Sequence, residues 1–302
     1  MNINNINIFS LNKKYFKNTL NSYNIQVRDF FNKVTPDFSN YKQITQGEIG
    51  DCWLLGPICA MSKSTILRNY FKEHFLINDD RTYTIKCFNL QNIKENIKIN
   101  GELYYLPAED EYKADLLFAG QQQYIPENPY VTNELIWASL IEKAVAFMLG
   151  GYHSLDGGDP GTRDVKNADL GFYILTGNNV NTVMIDNTIN INLLKELLEK
   201  GAAITYTTKD NKNIKGKNKM KRTPTGVDKS GYNLLEDHVY MVDTISYDGT
   251  LSLYNPHGEE IHLSHNIAKL LPLDILIMYG QRFDILLPAN ISGGRRRRKT
   301  SK

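Results

Sequence analysis

The sequence predicts an α+β fold in two lobes, a helix-rich N-terminal lobe and a strand-rich C-terminal lobe. Three observations carry this. Apolar residues recur at helical spacing in 52–77, 135–149 and 191–200. Alternating or β-rich runs fill 202–208, 238–254 and 272–288. The length, 302 residues, suffices for one large domain or two moderate lobes with a full core.

In chain order, Asn24 to Val34 reads as a short helix ended by Pro36. Residues 52–77 read as two helices. The first runs through the apolar stretch Trp53 to Met61, and the second carries Ile66, Leu67, Tyr70, Phe71 and Phe75 on one side. Asn78 to Asp80 is a turn, and strands follow at Tyr83–Phe88, Ile93–Ile99 and Glu102–Leu106. Pro107, Pro126 and Pro129 punctuate an irregular stretch. Leu135–Leu149 is a helix ended by Gly150-Gly151, and a glycine-rich loop runs through Gly157 to Gly161. Ala168–Thr176 is short and apolar before Gly177. Ile191–Lys200 is an amphipathic helix before Gly201, and Ala202–Thr208 is a strand. After the basic loop 209–231, a strand begins at His238, turns at Asp248-Gly249 and returns through Leu251–Tyr254 to Asn255. More strand is expected in 272–288.

Hydrophobic residues make up 41% and charged residues 23%, which excludes a disordered or fibrous chain. Cys52, Cys59 and Cys87 are odd in number and match no zinc spacing, so free thiols in a reducing compartment are expected. The first residues lack the apolar core of a signal peptide, and no run reaches the roughly 20 apolar residues of a membrane span. The expectation is a soluble, cytoplasmic or otherwise intracellular protein. The net charge of +2 conceals two basic blocks. Residues 209–229 hold eight Lys or Arg against Asp210 and Asp228, and residues 293–302 hold six with no acid, so the remainder is acidic. The tail is expected to contact nucleic acid or an acidic surface, to act as a localisation signal, or to stay solvated without a partner.

Gln46-Gly47-Glu48-Ile49-Gly50-Asp51-Cys52-Trp53-Leu54-Leu55 reads as a glycine-bearing turn that delivers a thiol to a helix start. Unpaired N–H groups and the helix dipole there favour a thiolate, which is the nucleophilic form. The Gln46 amide and the Cys52 N–H are placed to serve as two donors of an oxyanion hole. A hairpin near-symmetric about Asp248-Gly249 brings His238 beside Asn255, whose amide oxygen fixes the imidazole tautomer. Nucleophile, base and orienter then follow in the order Cys52, His238, Asn255.

Taken together these residues resemble the calpain-like cysteine proteases. The cysteine block carries the likeness, with Trp137 to Ala144, Gly151 to Gly158, Leu175-Thr176-Gly177, His238-Val239-Tyr240-x-Val242 and Asn255-Pro256-x-Gly258. The resemblance spans about 35–285. It implies a papain-like two-lobe fold with a Cys lobe at 35–177 and a His/Asn lobe at 178–290, flanked by an extension at 1–34 and a disordered basic tail at 291–302. It implies an endopeptidase acting on protein or peptide substrates, with Cys52 as nucleophile, His238 as base then acid, Asn255 as orienter and Gln46 as oxyanion donor. A binding module with weak or no activity, or a thiol acyltransferase, are the competing readings. His257 stands where the family has Trp, and Asp237, beside Glu236, where it has a small residue. Calcium is the family's cofactor, but Gln43, Tyr173 and Ile174, and Ile261 occupy its core ligand positions. Glu259 and Glu260 lie close to the last of these, and Asp156, Asp159 and Asp164 leave an opening elsewhere. The expectation is therefore no metal and no other cofactor.

Overall fold

The computed structural model describes residues 26–33, 35–47, 49–107, 113–116, 123–124, 136–157, 167–215, 219–220, 231–232, 234–256 and 269–288. Among them the chain is mixed helix and antiparallel sheet. The expectations for His257, residues 259–261, Asp159, Asp164, the first 25 residues and the basic tail lie outside the described residues, as does most of the basic loop.

The segment expected as a helix near Asn24 is instead strand β1, Gln26–Asp29. It pairs antiparallel with β5, Glu102–Pro107, with Val27 opposite Tyr104. Ladder bonds to an otherwise open edge outweigh the weak local helical preference. Strands β6 (Lys113–Leu116) and β7 (Gln123–Tyr124) complete that sheet in the order β1-β5-β6-β7.

The two helices expected after the turn form as α1, Cys52–Lys63, and α2, Thr65–His74. Ser64 joins them, and its hydroxyl accepts from the Leu67 N–H as the N-cap of α2. The helical spacing fails at its end, because Phe75–Ile77 is strand β2. It starts a three-stranded sheet with β3, Thr82–Phe88, and β4, Lys94–Asn100. Helices α3 (Trp137–Leu149) and α4 (Ala168–Thr176) pack on α1.

Pro57 lies inside α1 and cannot donate to the Trp53 carbonyl one turn back. Helix α4 approaches that spot through Gly171. A Cβ there would stand 2.2 Å from the Trp53 carbonyl oxygen and 2.9 Å from the Pro57 ring. Gly56 plays the same part on the other side. Its Cβ would stand 2.7 Å from the Val239 side chain. Glycine costs about 1 kcal/mol relative to alanine inside a helix, and here it lets a strand come close to the helix that bears Cys52.

That strand belongs to a six-stranded antiparallel sheet ordered β12-β11-β10-β9-β13-β8. Its members are β8 (Asn181–Met184), β9 (Ala203–Thr208), β10 (Val239–Ile245), β11 (Leu251–Tyr254), β12 (Lys269–Leu271) and β13 (Gly280–Leu286). Helix α5, Ile191–Glu199, precedes β9. The expected strand at 272–288 is only half right, since Leu273–Tyr279 forms helix α6 before β13. Buried Leu276 and Tyr279 sit three apart, a helical spacing hidden in a continuous apolar run. The expected split of helices and strands between the halves is thus blurred, with β1–β7 early and α5 and α6 late.

The sheet has different cores on its two faces. Ala203, Val239, Met241, Tyr254 and Leu286 join the core built on α1, α3 and α4. Ile204, Tyr206, Tyr240, Val242 and Phe283 join α5 and α6 in a second core.

All three cysteines are free, and Cys59 and Cys87 are buried. Burial raises the Cys87 thiol to about 12 and that of Cys59 at least as strongly. The folded state therefore keeps protons that the unfolded chain, with thiols near 9.0, releases first. Their contribution is fully present below that value and is lost as pH rises toward 12. We expect the melting temperature to fall steadily above pH 9; a melting temperature that is flat with pH in this range would show the thiols are not sealed.

Candidate active site

Cys52 is the first residue of α1, with Asp51 as a fully buried N-cap residue. The turn before it is held in place from elsewhere. The Gly157 N–H donates to the Gly50 carbonyl at 2.9 Å, and the Trp53 indole N–H donates to the Leu155 carbonyl at 2.7 Å. The segment 151–157 thus braces the cysteine turn, a role that sequence reasoning did not assign to it.

The Cys52 thiol is only partly open to solvent. Burial pushes its pKa up to about 12, with the Val239 N–H opposing and the Asp51 and Asp237 carboxylates reinforcing the rise. This corrects the expectation of a lowered value. The helix terminus and the Trp53 N–H act in the expected direction, but desolvation exceeds them. The Val239 N–H, one residue after His238, is near enough to the sulfur to act on it, and Gly56 in the Cys52 helix packs on the Val239 side chain, so the helix start and the strand start adjoin. Val239 was missed as a site residue, although its position next to the histidine was the available signal.

His238 is 5% exposed. Its backbone N–H donates to the Thr208 hydroxyl at 2.9 Å, and its ring packs edge-on against Tyr240 at 4.8 Å between centroids. Nε2 and Asn255 Oδ1 are 2.7 Å apart. An amide oxygen only accepts, so this bond places the proton on Nε2 and leaves the Nδ1 lone pair as the basic site.

The hairpin that makes this pair is not symmetric. Ile245 faces Leu251 and Thr244 faces Ser252, but Val242 faces Leu253 and Met241 faces Tyr254. Asp243 is the extra residue, a β-bulge. Continued past Met241, this register sets Asn255 opposite Tyr240, on the same side of the strand as His238. A regular hairpin continued from Ile245 and Leu251 would set it opposite Met241, on the other side.

Gln46 is 8% exposed and sits next to the same strand end, its backbone N–H donating to the Pro256 carbonyl at 2.6 Å. Its Nε2 donates to the Ile49 carbonyl at 2.6 Å. One amide hydrogen is committed to that bond and the second is left to donate elsewhere. Asp237, before the histidine, is exposed and takes the left-handed conformation with φ 48°. Although the residue is exposed as a whole, partial desolvation raises its carboxyl, with Asp210 and Glu236 adding to the rise.

The calcium ligand positions do not fit that ion among the described residues. Ile174 is a fully buried hydrocarbon in α4 and Tyr173 offers a phenol, where calcium takes several carboxylate oxygens. No group of three or more His, Cys, Asp or Glu among the described residues is arranged to hold a metal ion. No helix among them is long and apolar enough to cross a membrane.

The calpain-type cysteine protease DEK1 of Zea mays is similar to this chain, with 28% identity over 120 residues, which is 39% of this chain and 5% of that protein. The chain therefore spans only a small part of that relative's length. Residues 26–263 match the calpain family of cysteine proteases. That match includes Gln46, Cys52, His238 and Asn255 and covers most of the sequence, so this chain belongs to the calpain family of cysteine proteases.

Proposed function

We propose that this chain is a cysteine endopeptidase that hydrolyses protein substrates through a thioester on Cys52. The observation that carries the reading is the 2.7 Å bond by which Asn255 holds the His238 imidazole, at the strand start on which the Cys52 helix packs through Gly56 and Val239. A thiol held near 12 is inert alone, so it needs a base within reach. His238 Nδ1 takes the thiol proton as sulfur attacks the scissile carbonyl. The tetrahedral oxyanion is received by the Cys52 N–H, at the donor-rich start of α1, and by the second hydrogen of the Gln46 amide. His238 then protonates the leaving amine, and the thioester forms. Water, deprotonated by the same imidazole, attacks the thioester and releases the acid.

We further assign the reading two papain-like lobes, 35–177 and 178–290, with the catalytic groups along their seam. No divalent cation is given a step. The reading of a weakly active binding module draws on the Gln46–Ile49 bond, which occupies part of the oxyanion donor.

The test is labelling of the full chain by an epoxysuccinyl thiol-protease probe, with Cys52→Ala as control. Labelling of wild type that disappears in Cys52→Ala is expected. A folded wild type that takes no probe, with or without calcium, rejects the enzyme reading.

A further inference from the structure

The bulge in β10 does more than set the hairpin register. Its extra residue, Asp243, points at the core that carries α1. The Asp243 side chain is 11% exposed, and three groups from the N-terminal side meet it there. The Tyr41 hydroxyl donates to Oδ1 at 3.0 Å, Lys63 Nζ lies 3.3 Å from Oδ1, and Lys42 Nζ lies 3.7 Å from Oδ2. Lys63 is in the last turn of α1, the helix that starts at Cys52. A cation there also suits the negative end of the helix. Tyr41 and Lys42 belong to a short 3-10 turn at 41–43, three residues before Gln46.

Other bonds cross the same seam. The Tyr254 hydroxyl donates to the Ile44 carbonyl at 2.8 Å. The Ser64 hydroxyl donates to the Gly201 carbonyl at 2.6 Å. Further along the same face of the sheet Arg282 in β13 reaches Asp169 in α4 at 2.5 Å and Asp284 in its own strand at 3.0 Å. Each joins an element of the Cys52 side to an element of the His238 side.

The geometry points to a built-in clasp: we propose that Asp243, gripped by Tyr41, Lys63 and Lys42, fastens the Cys52 helix to the His238 strand, so that the chain's own charges assemble the cleft in place of a divalent cation. This rests on the protease reading for its purpose but not for its physics. Asp243 is the centre because it is a mostly buried carboxylate facing Lys63, which is itself mostly buried. Removing one partner of such a pair leaves the other desolvated and uncompensated. The exposed Lys42 adds little.

The experiment is hydrogen exchange of the full chain, read in peptides covering 41–47 and 252–256, beside the rate of epoxysuccinyl labelling. Wild type, Asp243→Asn and Tyr41→Phe are compared, each with excess chelator and with calcium. In Asp243→Asn, exchange across the seam is expected to rise about tenfold or more, with slower labelling that calcium does not restore. Tyr41→Phe keeps its ring against Tyr254 and loses only the hydroxyl, so a smaller change of the same sign is expected. Should Asp243→Asn fail to fold, Tyr41→Phe decides. Chelator is expected to leave wild type unchanged. Exchange in both variants equal to wild type, or opening of wild type by chelator, overturns the clasp. If wild type takes no probe while the exchange shifts appear, the protease reading falls and the clasp stands.

Discussion

Replacing His238 by alanine is expected to lower kcat/KM by about four orders of magnitude while the fold persists. The size follows from the state of the thiol. With its pKa near 12, Cys52 has almost no thiolate of its own at neutral pH. Without the imidazole, alkylation of Cys52 by a small haloacetamide should rise about tenfold per pH unit toward 12 with no plateau on the way. In wild type the proton has His238 to go to, and alkylation should level off at much lower pH. Asn255→Ala should cost about a hundredfold, because the base survives and only its tautomer and orientation are freed. Equal pH profiles for wild type and His238→Ala would remove His238 from the chemistry.

Gly171→Ala is expected to destabilise the protein by about 3 kcal/mol, a drop in melting temperature of roughly 5 °C for a chain of this size. The obstruction is backbone, since the new methyl group would stand 2.2 Å from the Trp53 carbonyl oxygen and 3.2 Å from the Leu54 Cα. Backbone atoms cannot swing aside as a side chain can, so the first turn of α1 must shift. That turn carries Cys52, so labelling should slow as well. A variant with unchanged melting temperature and labelling would show that α4 can slide away freely.

The sequence displayed the candidate site more fully than the architecture. Cys52, His238, Asn255 and Gln46 were legible because each sits in a short local pattern: a glycine turn before an apolar helix, and a hairpin punctuated by Asp248-Gly249. The long helices α1, α3 and α5 were legible from their spacing. Strand β1 was not, because its structure is set by an edge some 75 residues away in the chain, at Glu102–Pro107. Helix α6 was not, because Leu273 to Met278 is apolar on almost every side and hides its period. The raised thiol was also out of reach. A helix start is visible in the sequence, whereas the protein that closes over the sulfur is contributed by β10. Asp243 read as one more polar residue in a strand, since a bulge has no signature apart from its partner.

The stretch from His238 to Asn255 behaves as a parity device. Added or lost residues in the turn 246–250 leave the count along β10 untouched, and the surface of that turn can vary in length. Within β10 the arithmetic is strict. Kept in place but paired regularly, Asp243 would turn Asn255 to the opposite side from His238, whereas deleting Asp243 removes the bulge and leaves Asn255 opposite Tyr240. A designer who replaced this segment with an idealised hairpin would keep every motif residue and lose the imidazole–amide pair. Variation in such a chain is therefore free at the tip of the ribbon, while along its rail the length of β10 and its bulge must change together.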